Sequence, residues 1–419
     1  MKITKLIAIL LFYWSIPAFA GECPDADRLK KTFFGDLHVH SSYSLDAYLA
    51  GTRNDPESAY EFAKKQRKVG LTPVDENGDP TRFLEIDRPL DFTGVTDHAD
   101  FFSFMRPAGE CDYEGRDCPD GMQNIWQKVQ DAANNANDAC HFTAFIAYEY
   151  TLQAGVSMLH RNVIFENDQV IRTPLSMLNT PYLPKLWEGL KEQCIDQDNG
   201  CQVLAIPHNP NMSQGMMFPD LDGPALMLTE KNLKLRAEIE PLVEMVQHKG
   251  ASECFPEAGG GEEECGFEYT QNDILDMLNP FNTGFSGPVA DNFSDDTLAN
   301  IFPDQNRSAR SYVRNTLKKG LSFQTEKGVN PYQLGFIGST DNHNGTPGYT
   351  LESEWLGHIG ATDDNTEKLF NDTNIELSPG GLAVVWAEEN TRSSIFAGLK
   401  NKETYATSGT RMTVRFFGG

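Results

Sequence analysis

The 419-residue chain carries 60 Asp and Glu against 35 Lys and Arg, a formal net charge of −25. Its 39% hydrophobic and 11% aromatic content is enough apolar material for a core, which excludes wholesale disorder. So acidic a chain repels nucleic-acid backbones and anionic membranes, which are bound through clustered Lys and Arg, so neither is an expected partner.

The first twenty residues, MKITKLIAILLFYWSIPAFA, read as a cleaved export signal. Lys2 and Lys5 form its positive start, and Ala18-Phe19-Ala20 is a small-x-small cleavage site. The apolar run over 6–17 is shorter than the roughly 20 residues a bilayer needs. Release to the periplasm or the medium follows, with no membrane attachment after cleavage. In that compartment eight cysteines point to disulfides, and no C-x-x-C knuckle argues for zinc instead. Cys111 with Cys118, Cys194 with Cys201 and Cys254 with Cys265 each bracket a short polar or Gly-rich loop. Cys23 and Cys140 are left by elimination.

Short apolar runs follow at 32–40, 90–96, 142–150, 162–165, 203–207, 242–247, 334–338 and 382–386. Runs this continuous predict strands of a parallel sheet buried on both faces. Helices are predicted over 56–68, begun by Asn54 or Asp55 ahead of Pro56, and over 124–139 and 184–193. The alternation predicts an α/β barrel or a doubly wound sheet. Residues 100–121, 211–236 and 255–330 read as insertions on one elaborated domain spanning 21–419. The stretch 404–419 reads as a strand entering more structure, as in a chain truncated at its C-terminus.

The chemistry falls at strand ends. Gly35-Asp36-Leu37-His38-Val39-His40 carries His-x-His, which puts both imidazoles on one face of a strand. Asp97-His98, Glu149, His160-Arg161, His208 and Asp341-Asn342-His343 follow, each beside a predicted strand. These segments hold six of the nine histidines, and strand C-termini of α/β barrels converge on one mouth. Histidine and carboxylate together are the usual ligands of divalent metals.

The ordered segments GDLHVHSSYSLDAY, VTDHADFF, HRNVIF, AIPHN and GSTDNHNG resemble the PHP (polymerase and histidinol phosphatase) superfamily of metal-dependent phosphoesterases. The closest likeness is to its exported branch, the domain-of-unknown-function family 3604. The resemblance spans Asp36 to His343 and implies a distorted seven-stranded β/α barrel, TIM-like in outline, with two to three divalent ions (Zn, Mn or Fe). By the same resemblance His38, His40, Glu149 and Asp341 hold the first ion, with Glu149 bridging to a second. His160 and His208 complete that second site, with His248 the alternative to His160. Asp46, His98 and His343 hold the third. Asp97 is expected to orient an imidazole. Arg161, and more weakly Arg411, could contact a phosphate. His141 and His358 match no motif and read as surface or structural residues. The expected reaction is hydrolysis of a small phosphate ester, with clustered cations activating water. A metal-dependent hydrolase of C–N or C–O bonds and a non-catalytic exported metal-binding protein are the alternatives.

Overall fold

The computed structural model describes residues 23–76, 79–102, 121–154, 157–219, 229–255, 265, 308–360, 363 and 377–417. The predicted export signal, the Cys111–Cys118 pair and much of the three predicted insertions lie outside the described residues.

In chain order the elements begin with β1 (Lys31–Asp36), α1 (Leu45–Leu49), α2 (Pro56–Ala63), β2 (Val69–Val74), β3 (Pro80–Leu84) and β4 (Phe92–Gly94). Next come α3 (Gly121–Ala136), β5 (Thr143–Tyr150), β6 (Gln153–Ala154), β7 (Ser157–Met158), β8 (Arg161–Phe165), α4 (Leu183–Leu190) and β9 (Val203–Pro207). The chain continues with α5 (Glu230–Ile239), β10 (Leu242–Gln247), β11 (Gly250–Ala251), α6 (Val313–Lys327) and β12 (Gly335–Gly338). It closes with β13 (Leu382–Ala387), α7 (Arg392–Lys400) and β14 (Thr404–Thr407). All eight predicted strands and all three predicted helices form. Asp55, rather than Asn54, caps α2 by accepting from the Ser58 amide, with Pro56 in the first helical position. Two predicted insertions contribute helices, α5 and α6, to the body of the protein.

Seven strands form one sheet in the order β14-β13-β1-β4-β5-β8-β9, and three form a second, β11-β10-β12. The strand β10 packs beside β9, and β12 packs beside β13 and β14. The second sheet therefore spans the two edges of the first, which curls into a barrel-like α/β fold. The predicted all-parallel sheet is corrected. Strands β1, β4 and β5 are parallel, but β8 opposes both of its neighbours and β13 opposes β1. The apolar runs reflect burial on both faces, and such burial does not require parallel pairing. The β6–β7 hairpin returns the chain directly from β5 to β8, so no crossover helix intervenes.

An inner cluster fills the barrel with Phe33, Leu37, Phe92, Phe145, Ala147, Ile164, Leu204, Ile206 and Ile337. The α7 side chains Ile395, Phe396 and Leu399 join it. Arg392 of that helix bonds the carbonyl of Ala144 at the start of β5, so α7 closes the end away from Glu149. The outer cluster packs Tyr148, Tyr150, Val163, Phe165 and Val203 against Trp126 of α3 and Trp187 of α4. Strand β1 approaches β4 so closely at Gly35 that a Cβ there would lie 2.4 Å from the Phe92 ring. Disulfides join Cys23 to Cys140, Cys194 to Cys201 and Cys254 to Cys265. Three such bonds are compatible with an oxidising compartment. Among the described residues no helix is long and apolar enough to cross a membrane.

Candidate metal centre

Strand alternation and one extended ladder gather the site. Past the end of β1, Leu37 and Val39 are buried in the apolar clusters, while His38 and His40 both line the site cavity. This extension pairs with the segment after β12. The Asp341 amide bonds the His38 carbonyl at 2.9 Å, and the His40 amide bonds the Asn342 carbonyl at 2.8 Å. His-x-His and Asp-x-His are thereby set side by side. A bridge between His98 and Glu149 joins the ends of β4 and β5 in the same way. Strand β8 runs in the opposite direction, so it contributes at its beginning. His160 stands just ahead of β8, beside His208 at the end of β9.

All nine predicted ligands, His38, His40, Asp46, His98, Glu149, His160, His208, Asp341 and His343, line one cavity of about 290 Å³. They fall into groups whose donor atoms face one another. At the centre His38 Nε2 lies 3.6 Å from Glu149 Oε2 and 3.1 Å from Asp341 Oδ1. His40 Nε2 lies 3.3 Å and 3.0 Å from the same two oxygens. His38 Nε2, Glu149 Oε2 and Asp341 Oδ1 are buried without a hydrogen-bond partner. Donors each about 2.1 Å from a common divalent ion stand roughly 3.0–3.4 Å apart, so the set fits a metal. The other oxygen of Glu149 meets His160 Nδ1 at 2.7 Å and His208 Nε2 at 3.1 Å. Nearer the mouth, Asp46 Oδ2 lies 3.1 Å from His98 Nε2 and 3.0 Å from His343 Nε2, and its side chain is 50% exposed.

The second nitrogen of each key imidazole is anchored outward. His38 Nδ1 meets Glu244 at 2.9 Å, His40 Nδ1 meets the Ser44 hydroxyl at 2.8 Å, and His343 Nδ1 bonds the Asp341 carbonyl at 2.8 Å. Such partners aim the inward nitrogen. Burial alone would raise both central carboxyls, but the surrounding charge wins. His98, His208 and His160 hold Glu149 well below the usual carboxylate range. His38, Lys249 and His248 do the same for Asp341. Burial, with His343 and His98 adding like charge, brings His40 down to about 3. Burial also opposes charge on His98, yet Glu149 and Asp46 raise it to about 10. The metal-free cluster thus balances its carboxylates with protonated imidazole.

Asp97 lies outside the cavity lining. Its carboxylate accepts from the Ser41 amide, the Ser41 hydroxyl and the Ser44 hydroxyl, and Ser44 in turn holds His40. Arg161 is a correction. Glu149 pairs across β5–β8 with Asn162, which faces inward, so the next residue faces the outer core. There the Arg161 guanidinium bonds Glu240 at 2.8 Å, and Glu240 also meets Arg236 and Trp187. Arg411 likewise lies elsewhere, donating to the backbone carbonyls of Arg88 and Pro89. His248 is buried 3.2 Å from Asp341 Oδ2 and groups with Asp341 and His343, while His160 groups with Glu149 and His208. His358 is structural, fully buried with Nε2 on the Tyr349 carbonyl, whereas His141 is exposed.

The motifs miss Glu244, Gln247 and Lys249. Gln247 donates to Asp341 Oδ2 at 2.9 Å, and the Lys249 ammonium is ion-paired with the same oxygen. The one available signal is polar residues, Glu244 and Gln247, inside the apolar β10 run. Asp341 itself sits at φ +54°, a left-handed conformation that costs energy for a non-glycine residue and is tolerated where the surroundings enforce it.

Fold and site together define a barrel-like α/β protein with buried His, Asp and Glu clusters that could hold metal ions. The model of the family described as protein of unknown function (DUF3604) matches residues 27–118 and 107–419, and the chain belongs to that family. No curated protein matches the chain. A solved structure from Bacteroides vulgatus, a two-domain protein containing a predicted PHP-like metal-dependent phosphoesterase, is similar at 13% identity and a TM-score of 0.39. The match covers 92% of this chain and 66% of that one, so the chain spans just under two thirds of that structure's length.

Proposed function

We propose that this chain is an exported, metal-dependent hydrolase of small phosphate esters, built as one PHP-type barrel domain. The observation that carries the proposal is the convergence of His38 Nε2, His40 Nε2, Glu149 Oε2 and Asp341 Oδ1, three of them buried without hydrogen-bond partners. Left empty, such a set would bury several kcal/mol of unsatisfied polar groups. The ordered strand-end motifs support the same reading.

His38, His40 and Glu149, with Asp341 close to both histidines, would hold one ion, Glu149 with His160 and His208 a second, and Asp46 with His98, His343 and His40 a third. Divalent zinc, manganese or iron bound there would supply positive charge for phosphoryl oxygens and lower the pKa of water to near neutrality. Glu149, with one oxygen facing His38 and His40 and the other facing His160 and His208, would contribute to both of the first two positions. Glu244 and the Asp97–Ser44 pair keep the Nε2 atoms of His38 and His40 aimed inward. Met158 and Ile359 give the cavity an apolar wall for the organic part of a substrate. Export is supported by the N-terminal sequence pattern and by the three disulfides.

The test is a panel of phosphate esters, carboxylic esters and amides assayed on one metal-loaded sample. The proposal expects phosphate release that chelator abolishes and added metal restores. Turnover confined to amides or carboxylic esters would replace it with the C–N or C–O hydrolase reading.

A further inference from the structure

Among the described residues lining the cavity, three are carboxylates and five are imidazole-bearing groups beyond His38, but only Lys249 carries an aliphatic amine and none carries a guanidinium. An anion entering this acid-rich space meets one amine side chain. Lys249 stands in the two-residue turn between β10 and β11, closed by the pairing of Gln247 with Gly250. The turn is fixed on both sides. The His248 amide bonds the Thr340 carbonyl at 3.1 Å, and the Ser378 amide bonds the His248 carbonyl at 2.7 Å. Asn211 holds the Lys249 carbonyl at 3.0 Å.

The placement of the ammonium is specific. It is ion-paired with Asp341 Oδ2, while Oδ1 of the same carboxylate faces His38 and His40 at 3.1 and 3.0 Å. Lys249 and the central donor set therefore sit on the two oxygens of one carboxylate. Its side chain is 12% exposed, enough to reach the cavity and too little for bulk water to screen it fully. Two other groups also reach Oδ2, Gln247 Nε2 at 2.9 Å and His248 Nε2 at 3.2 Å. Asp341 thus keeps the Gln247 hydrogen bond, with His248 close by, when the lysine is removed, so buttressing this carboxylate does not by itself account for the ammonium.

We infer that Lys249 is the side chain that recognises the anionic group of the substrate, favouring a compact phosphomonoester over a neutral ester. The inference rests on the phosphate-ester reading above. It names a residue that touches substrate beside the donor set and is not itself a ligand.

Calorimetric binding of inorganic phosphate to the manganese-loaded full chain tests it, with manganese content measured on each sample. Lys249→Met should weaken phosphate binding at least roughly tenfold, the loss of one charge-assisted contact, at unchanged manganese content. Lys249→Arg should recover most of that affinity. Should Lys249→Met fail to fold, Lys249→Gln keeps a donor for Asp341 without the charge and is expected to weaken binding likewise. Phosphate affinity equal to wild type in the uncharged variants would overturn the inference. So would an affinity that falls only in proportion to lost manganese, which would make Lys249 a buttress of Asp341. A wild-type protein that holds manganese but neither binds phosphate nor releases it from esters would instead sink the phosphoesterase reading, and this inference with it.

Discussion

Two clusters of buried charge lie one residue apart in register. Inside the barrel, Glu149 pairs across the sheet with Asn162. On the outer face, the neighbouring pair is Tyr150 with Arg161. In the outer cluster one carboxylate, Glu240, is shared by two guanidiniums. Arg161 meets Glu240, Arg236 Nε lies 2.9 Å from Glu240 Oε2, and the Arg236 guanidinium lies over the rings of Trp187, Phe218 and Tyr332. The inner cluster does not close on itself. Four carboxylates, Asp46, Glu149, Asp341 and Glu244, meet imidazoles, and one lysine, Lys249, pairs with Asp341 alone. Buried opposite charges in direct ion-pair contact support the fold, whereas buried imidazoles and carboxylates that converge on one another leave room for a cation that displaces the imidazole protons.

Glu149→Ala breaks the inner cluster at its shared ligand. It should cost about a thousandfold in turnover, the worth of several kcal/mol of metal-derived stabilisation, as read from phosphate release at saturating substrate. Arg161→Met makes the opposite cut. It should lower unfolding free energy by about 3–5 kcal/mol, because Glu240 loses a buried partner, while metal content stays at the wild-type value. Denaturant titration beside elemental analysis separates the two variants. A stable Arg161→Met protein that has lost its metal would collapse the distinction between the clusters. Glu244→Gln is subtler, since it weakens only the outward anchor of His38. A loss of about 10–100-fold in metal affinity is expected from competition with a chromophoric chelator.

The smallest effect concerns protons. With His98 raised to about 10 and His38 held above its usual value by Asp341, Glu244 and Glu149, both imidazoles are protonated in the metal-free protein near neutrality. A ligating imidazole must be neutral, so metal binding expels protons, and affinity should rise with pH. The slope is about tenfold per pH unit per proton released, sustained from neutrality toward pH 10. Calorimetry in two buffers of different ionisation enthalpy counts those protons. A count of zero would contradict the charge balance drawn for the metal-free cluster.

Most of the candidate ligands were legible in the sequence because they sit beside apolar runs, where period two and the barrel rule place them. Glu149 is read from its strand alone. What escaped depends on facts that pattern does not carry. The direction of β8 follows from the β6–β7 hairpin, and only that direction puts His160 at the mouth and turns Arg161 away from it. Glu244 and Lys249 lie on a strand and a turn of the second sheet, and their roles depend on how β10 packs against β12 and the Asp341 loop. The predicted parallel sheet failed for a related reason, since burial on both faces leaves strand direction open. The pairing of Cys23 with Cys140, reached by elimination, bridges 117 residues that no local spacing connects.

The central claim is that the atoms around Glu149 are a metal site. Elemental analysis of wild type and Glu149→Ala, each reconstituted and freed of excess ion, addresses it most directly. The account predicts two to three tightly held divalent ions per wild-type chain and a clear loss in the variant. A wild-type chain that retains less than one ion, or a Glu149→Ala chain that retains as many as wild type, would contradict it.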